Sequence, residues 1–125
     1  MKLQNPSKFY KYLFLGWGSL IMIVSSIPYL TVPVPDRLAP DKAAHFLEYM
    51  IFSCFFCLFM FYSRKSEKRI FTLTILLVAF ALLDEFHQMF IPGRAFSWYD
   101  FGADFLGIIS GWSILYIMNR KRETS

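Results

Sequence analysis

Little in this chain would sustain a soluble fold. Charged residues make up only 18%, against 56% hydrophobic and 20% aromatic, with 15 Phe in 125 residues. A soluble domain of that size could not hide so much apolar surface. Cysteine is almost absent, and the two present, Cys54 and Cys57, sit among Phe55, Phe56 and Phe59. A reactive dithiol needs an accessible, electropositive setting, so this C-x-x-C reads as apolar filler. No H-E-x-x-H metalloprotease motif occurs. Internal repeats, low-complexity tracts and alternating strand patterns suited to a closed barrel are missing too. The first apolar stretch lacks a small-x-small cleavage site and exceeds a signal-peptide core, so it reads as a retained span.

What remains is four apolar runs, roughly 9–30, 43–62, 70–91 and 101–118. Each is about the length that a helix needs to cross a hydrocarbon core of about 30 Å. Helices satisfy their own backbone in lipid, so the expected fold is all-α. It is a four-transmembrane-helix integral membrane protein forming one domain over residues 1–125. Lysine and arginine placement sets its orientation. Lys2, Lys8 and Lys11 precede the first run; Arg64, Lys65, Lys68 and Arg69 separate the second and third; Arg120, Lys121 and Arg122 follow the last. Only Glu67 and Glu123 accompany them. Four spans put all these cations on one side, so both termini are expected in the cytoplasm. The net charge of +4 is then a topology signal and no mark of nucleic-acid binding.

Every other acid falls at the opposite end. Asp41, His45, Glu48 and Tyr49 are spaced i, i+4, i+7, i+8 along one helical face. Asp84, Glu85 and Gln88 close the third run, and Asp100 and Asp104 open the fourth. At about 1.5 Å per residue, Glu48 lies roughly 10 Å below the start of its helix, and Asp84 at similar depth. Ionisable groups near lipid cost free energy, so three helices placing them at one depth point to a functional pocket. Between the first and second runs, Pro28, Pro33, Pro35 and Pro40 predict an extended segment. Asp41 is placed to cap the second helix after a stop at Pro40, and Pro92-Gly93-Arg94 marks a turn. Ser97, with Asp100 three residues on, is placed to cap the fourth. Gly107 and Gly111 form a G-x-x-x-G for close helix approach, either to a second copy in a homo-oligomer or within the chain. The intramolecular reading is favoured, because it draws the acids of spans 2, 3 and 4 together.

Three chemistries stay open. His45, His87, Glu48, Asp84, Glu85 and Asp104 are acceptable ligand types for a divalent metal, with His45, Glu48, Asp84 and Glu85 the foremost candidates. Glu85 or Asp84 with His45 could carry general acid–base hydrolysis of a lipid head group. The same groups could bind a ligand without chemistry, or only fix the fold of an accessory subunit.

Two blocks resemble the VanZ-like family of bacterial membrane proteins. One is Asp41-Lys42-Ala43-Ala44-His45-Phe46 with Tyr49. The other runs from Asp84-Glu85 through Gln88, Pro92-Gly93-Arg94, Ser97 and Asp100 to Gly107 and Gly111. The resemblance implies a small multi-pass protein of the bacterial cytoplasmic membrane, in a family associated with resistance to teicoplanin. It supplies no agreed mechanism. Where many relatives are expected to carry Asn, this chain has Asp104. The expected function is therefore an envelope-associated binding protein with an outward polar pocket. The expected partner is membrane lipid, a lipid-linked wall precursor or a glycopeptide. Lys42 and Arg94 would meet anionic groups, and His45, Tyr49, Asp84, Glu85 and Gln88 would form the floor. Asp41, Ser97, Asp100 and Asp104 complete the expected site.

Overall fold

A computed structural model describes residues 4–30 and 39–124. Among them are four helices and no strands: α1 Pro6–Ser25, α2 Ala39–Ser63, α3 Glu67–Gln88 and α4 Trp98–Glu123. Asn5 caps α1 by accepting from the Lys8 backbone N–H at 3.2 Å, and Pro6 occupies the first turn, where no N–H is needed. Ser97 caps α4 as expected, its hydroxyl accepting from the Asp100 N–H at 3.3 Å. The expectation for α2 is corrected. It begins at Ala39, so Asp41 is inside the first turn and not its cap. Pro40 lies in the first turn of the helix rather than stopping the segment before it, a position where proline is tolerated. Asp41 still meets the positive end of the helix dipole there. The expected extended stretch through Pro33 and Pro35, with Arg37, lies outside the described residues.

Three of these helices are long and apolar enough to cross a membrane: Asp41–Ser63, Glu67–Gln88 and Trp98–Glu123. Four were expected, and α1 is not among them. Lys8 and Lys11 in its opening turns, then Gly16, Gly18 and Ser19, dilute its apolar character. The outer faces fit a lipid solvent. Phe71, Ile75, Leu76 and Leu83 of α3 and Leu106, Ile109 and Ile117 of α4 are all exposed, an apolar surface that water would not support.

The core is built around α2. Phe52, Phe56 and Met60 are buried with Ile21 of α1, Leu77 and Ala81 of α3, and Ile108 and Leu115 of α4. Phe14 stacks on Phe52 with ring centroids 4.7 Å apart. Gly107 and Gly111 explain how α4 reaches α2. A Cβ on Gly107 would strike the Phe46 carbonyl oxygen and come within 2.9 Å of Met50 N. One on Gly111 would meet the Ser53 side chain. The two glycines therefore serve packing within the chain, and the Ser53 hydroxyl donates to Ile108 O at 2.8 Å beside them. The close approach is to α2 alone. α3, despite its short tether to α2, packs less intimately on it, because rings such as Phe52 and Phe80 (5.4 Å) stand between them.

Cross-links between helices show which ends meet. Ser7 and Ser63 share a hydrogen bond of 2.7 Å at one end, joining the start of α1 to the finish of α2. At the other end, the close of α1 meets the close of α3 through Ser26 and His87 (2.9 Å), and Tyr29 N–H donates to Pro92 O (2.9 Å). The openings of α2 and α4 join there through Lys42 and Asp100 (2.9 Å). Polar cross-links from all four helices thus meet at the end that carries His45, Asp84, Glu85, Asp100 and Asp104.

Candidate functional site

The gathering has two levels. The upper one is a groove of about 820 Å³. Asp41, Lys42 and His45 line it from α2, Gln88 from α3, and Trp98, Tyr99 and Asp100 from α4, with the 93–97 turn between. Gly93 makes that turn possible. Its φ of +77° lies in the left-handed region, and a Cβ there would overlap the Tyr29 ring. Arg94 is turned inward by the same turn, donating to Gln88 Oε1 at 3.2 Å and to Val24 O at 3.5 Å. Lys42 pairs with Asp100, and its ammonium stands 6.0 Å from the Tyr99 ring.

The lower level is buried. Tyr49, Glu85 and Asp104 have 0% exposure, Asp84 2%, and His45 6%. Those values place three carboxylates and an imidazole beyond the reach of bulk water, so each oxygen needs a partner. His45 Nδ1 is 2.9 Å from Asp104 Oδ1 and 3.7 Å from Glu85 Oε1. Its other nitrogen, Nε2, points to Asp100 Oδ2 at 4.0 Å. The Ser97 backbone N–H donates to Glu85 Oε2 at 3.2 Å, so the residue capping α4 also holds the α3 carboxylate. Asp84 turns away from this group. It accepts from the Tyr49 hydroxyl at 3.0 Å and from the Ser25 hydroxyl. Two carboxylate oxygens, Glu85 Oε1 and Asp104 Oδ2, are buried without a hydrogen-bond partner.

A model of the VanZ/LLP1 family matches residues 5–119. The chain belongs to the VanZ/LLP1 family. No curated protein and no solved structure matches it. Membership of VanZ/LLP1 makes this a membrane protein, in a family associated with teicoplanin resistance. The residues that suggested VanZ-like kinship are the ones the fold assembles. Asp41, Lys42, His45, Gln88, Arg94, Ser97 and Asp100 line the groove. Tyr49, Asp84 and Glu85 are buried among the helices that form it, together with Asp104, the position that departs from the expected family pattern.

The metal candidates regroup. Ligand atoms of His45, Glu85 and Asp104 lie within 4.8 Å of one another, as do those of Asp41, His45 and Asp100. Neither group includes Asp84 or Glu48. Asp84 is held by Tyr49 and Ser25, and Glu48 is only half-buried one turn along from His45. Asp104, an acid of acceptable ligand type on sequence, joins His45 and Glu85 in the buried group. The residue that sequence reasoning missed is Ser25. Its signal was there: Gly18, Ile21 and Ser25 follow i, i+3, i+7, the one buried face of α1.

Proposed function

We propose that this chain is an envelope-associated binding protein of the bacterial cytoplasmic membrane. It crosses four times, with α1 as the fourth span and both termini in the cytoplasm. The positive-inside distribution supports that orientation, since the basic segments all lie at the end away from the groove. The groove then opens on the outer face. There it takes the polar head of a membrane lipid or of a lipid-linked wall intermediate, and a glycopeptide such as teicoplanin competes for the same face.

The observation that carries this reading is the groove's make-up. Lys42 and Arg94 flank an opening whose rim holds Trp98 and Tyr99, exposed 67% and 78%. Indole and phenol rings favour the level of lipid head groups, and the two cations suit phosphate or carboxylate. A head group entering from the bilayer would need no route through water. Native mass spectrometry of gently extracted protein tests it. Wild-type chain should retain a lipid, and Lys42→Ala with Arg94→Gln should lose it while α-helical content persists. Retention of the same lipid by the double variant would refute the binding reading. Expression in a sensitive host, scored for teicoplanin tolerance, asks separately whether this member confers resistance.

A second reading has one specific observation behind it. His45 lies 2.9 Å from Asp104 and faces the groove, the pairing of base and orienting carboxylate used in acid–base hydrolysis. Turnover of a bound lipid, abolished by Asp104→Asn with binding retained, would favour an enzyme over a binding protein.

A further inference from the structure

The lower level contains more negative oxygen than its partners satisfy. Glu85 and Asp104 each show 0% exposure, and the ion pairs they make among the described residues are all with His45. Glu85 Oε2 is held by Ser97 N–H, which leaves Oε1 directed at His45 without a hydrogen bond. Asp104 Oδ1 meets His45, and Oδ2 is likewise without a partner. Burying an unpaired carboxylate is costly, and a buried pair beside one imidazole more so. A bound cation would meet that deficit directly.

We propose that His45, Glu85 and Asp104 bind one divalent transition-metal ion, zinc by preference, at the floor of the groove. Each ligand comes from a different helix, and their donor atoms lie within 4.8 Å of one another. Tetrahedral zinc with bonds of about 2.0–2.1 Å sets neighbouring donors about 3.3 Å apart. The two separations from His45 Nδ1, 2.9 and 3.7 Å, straddle that value, and the two carboxylates lie within 4.8 Å of each other, a gap that side-chain rotation can close around an ion. An imidazole with two carboxylates selects zinc or a similar ion over calcium and magnesium, which take oxygen ligands. Ser97 N–H on Glu85 fixes the ligand carboxylate from behind, and His45 Nε2 is turned toward Asp100, as supporting groups around metal sites commonly are. The alternative trio of Asp41, His45 and Asp100 is the poorer site, because the Lys42 ammonium already occupies Asp100 at 2.9 Å. Three protein ligands leave a fourth position that the groove can supply, the pattern of zinc sites that bind or activate a further group. This inference does not rest on the head-group reading, since metal content is measured without any lipid.

The test uses full-length protein carrying no histidine tag, stripped with chelator in detergent and titrated with Zn²⁺ and with Co²⁺. Wild type should take up one zinc per chain, read by elemental analysis of the dialysed protein. Cobalt should give the intense visible absorption of a four-coordinate ion, displaced by one equivalent of zinc. Glu85→Gln and Asp104→Asn should each weaken zinc binding by more than about 100-fold, beyond the usual effect of losing only a supporting group. Glu67→Gln, at the far end of α3, should leave it unchanged. Circular dichroism and gel filtration report whether the variants fold. If they do not, the wild-type cobalt spectrum decides: a six-coordinate, water-like spectrum overturns the proposal. So does the absence of stoichiometric zinc, or full retention of zinc by folded Glu85→Gln and Asp104→Asn.

Discussion

Replacing Gly107 with alanine should unfasten the site without changing a polar side chain. The new methyl carbon would lie 2.9 Å from Met50 N and closer still to the Phe46 carbonyl oxygen, where ordinary contact begins near 3.4 Å. Both neighbours are backbone atoms of α2, so no side-chain rotation relieves the overlap, and α4 must retreat by at least about 0.5 Å. Overpacking of this kind costs about 1–3 kcal/mol, and a backbone obstacle belongs at the upper end. Alanine's better helix propensity returns about 1 kcal/mol, for a net loss of about 2 kcal/mol. That is about 30-fold in the unfolding constant. Gly102, on the same helix, supplies the control: a Cβ there meets nothing within 4 Å. Gly102→Ala should therefore gain about 1 kcal/mol from propensity alone, leaving the pair about 3 kcal/mol apart. Reversible unfolding in mixed micelles, followed by circular dichroism, measures both. Because Asp104 is one turn from Gly107, the retreat should also separate it from His45. Stabilities of Gly107→Ala and Gly102→Ala within about 0.5 kcal/mol of each other would refute the close α2–α4 contact.

Three further substitutions probe the polar layers under the same unfolding assay. Tyr49→Phe keeps the ring packed on Phe52 but removes the hydroxyl from buried Asp84, and should cost about 1–3 kcal/mol; an unchanged midpoint would contradict that hydrogen bond. Ser97→Ala should cost about 1 kcal/mol through the lost α4 cap, while the backbone N–H to Glu85 stays, so a far larger loss would mean that the cap is not its main role. Gly93→Ala should lose at least about 1 kcal/mol, from its φ of +77° and from overlap with Tyr29, and a neutral result would contradict the turn geometry.

The helical fold and the polar end of the bundle were readable in sequence because both follow from simple periodicities. Run length and the absence of alternation dictated helices. The i, i+4, i+8 spacing put Asp41, His45 and Tyr49 on one face, and His45 and Tyr49 are indeed buried. The G-x-x-x-G correctly signalled intramolecular packing, because two small residues one turn apart create a flat strip that only a close backbone can fill. Other features were not legible, for physical reasons. Which acid faces which depends on helix rotation and on loop geometry. Those put Asp84 against Tyr49 and Ser25, and left Glu85 and Asp104 facing His45. Spacing within a helix cannot show that Ser97 both caps α4 and binds Glu85 through its N–H, since the second role arises only when α3 arrives. The weaker apolar character of α1 was not legible because the run from Phe9 to Leu30 looks continuous in sequence. The helix itself starts at Pro6, ends at Ser25, and includes the lysines and glycines that lower its hydropathy.

Side-specific labelling of single cysteines in intact cells tests most directly whether the polar end of the bundle faces outward. In a background with Cys54 and Cys57 replaced, Ala95→Cys marks the groove turn and Ser66→Cys the short α2–α3 loop. A membrane-impermeant maleimide should modify position 95 in intact cells and position 66 only after permeabilisation. Labelling of position 66 from outside, with position 95 protected until the membrane is opened, would contradict the account.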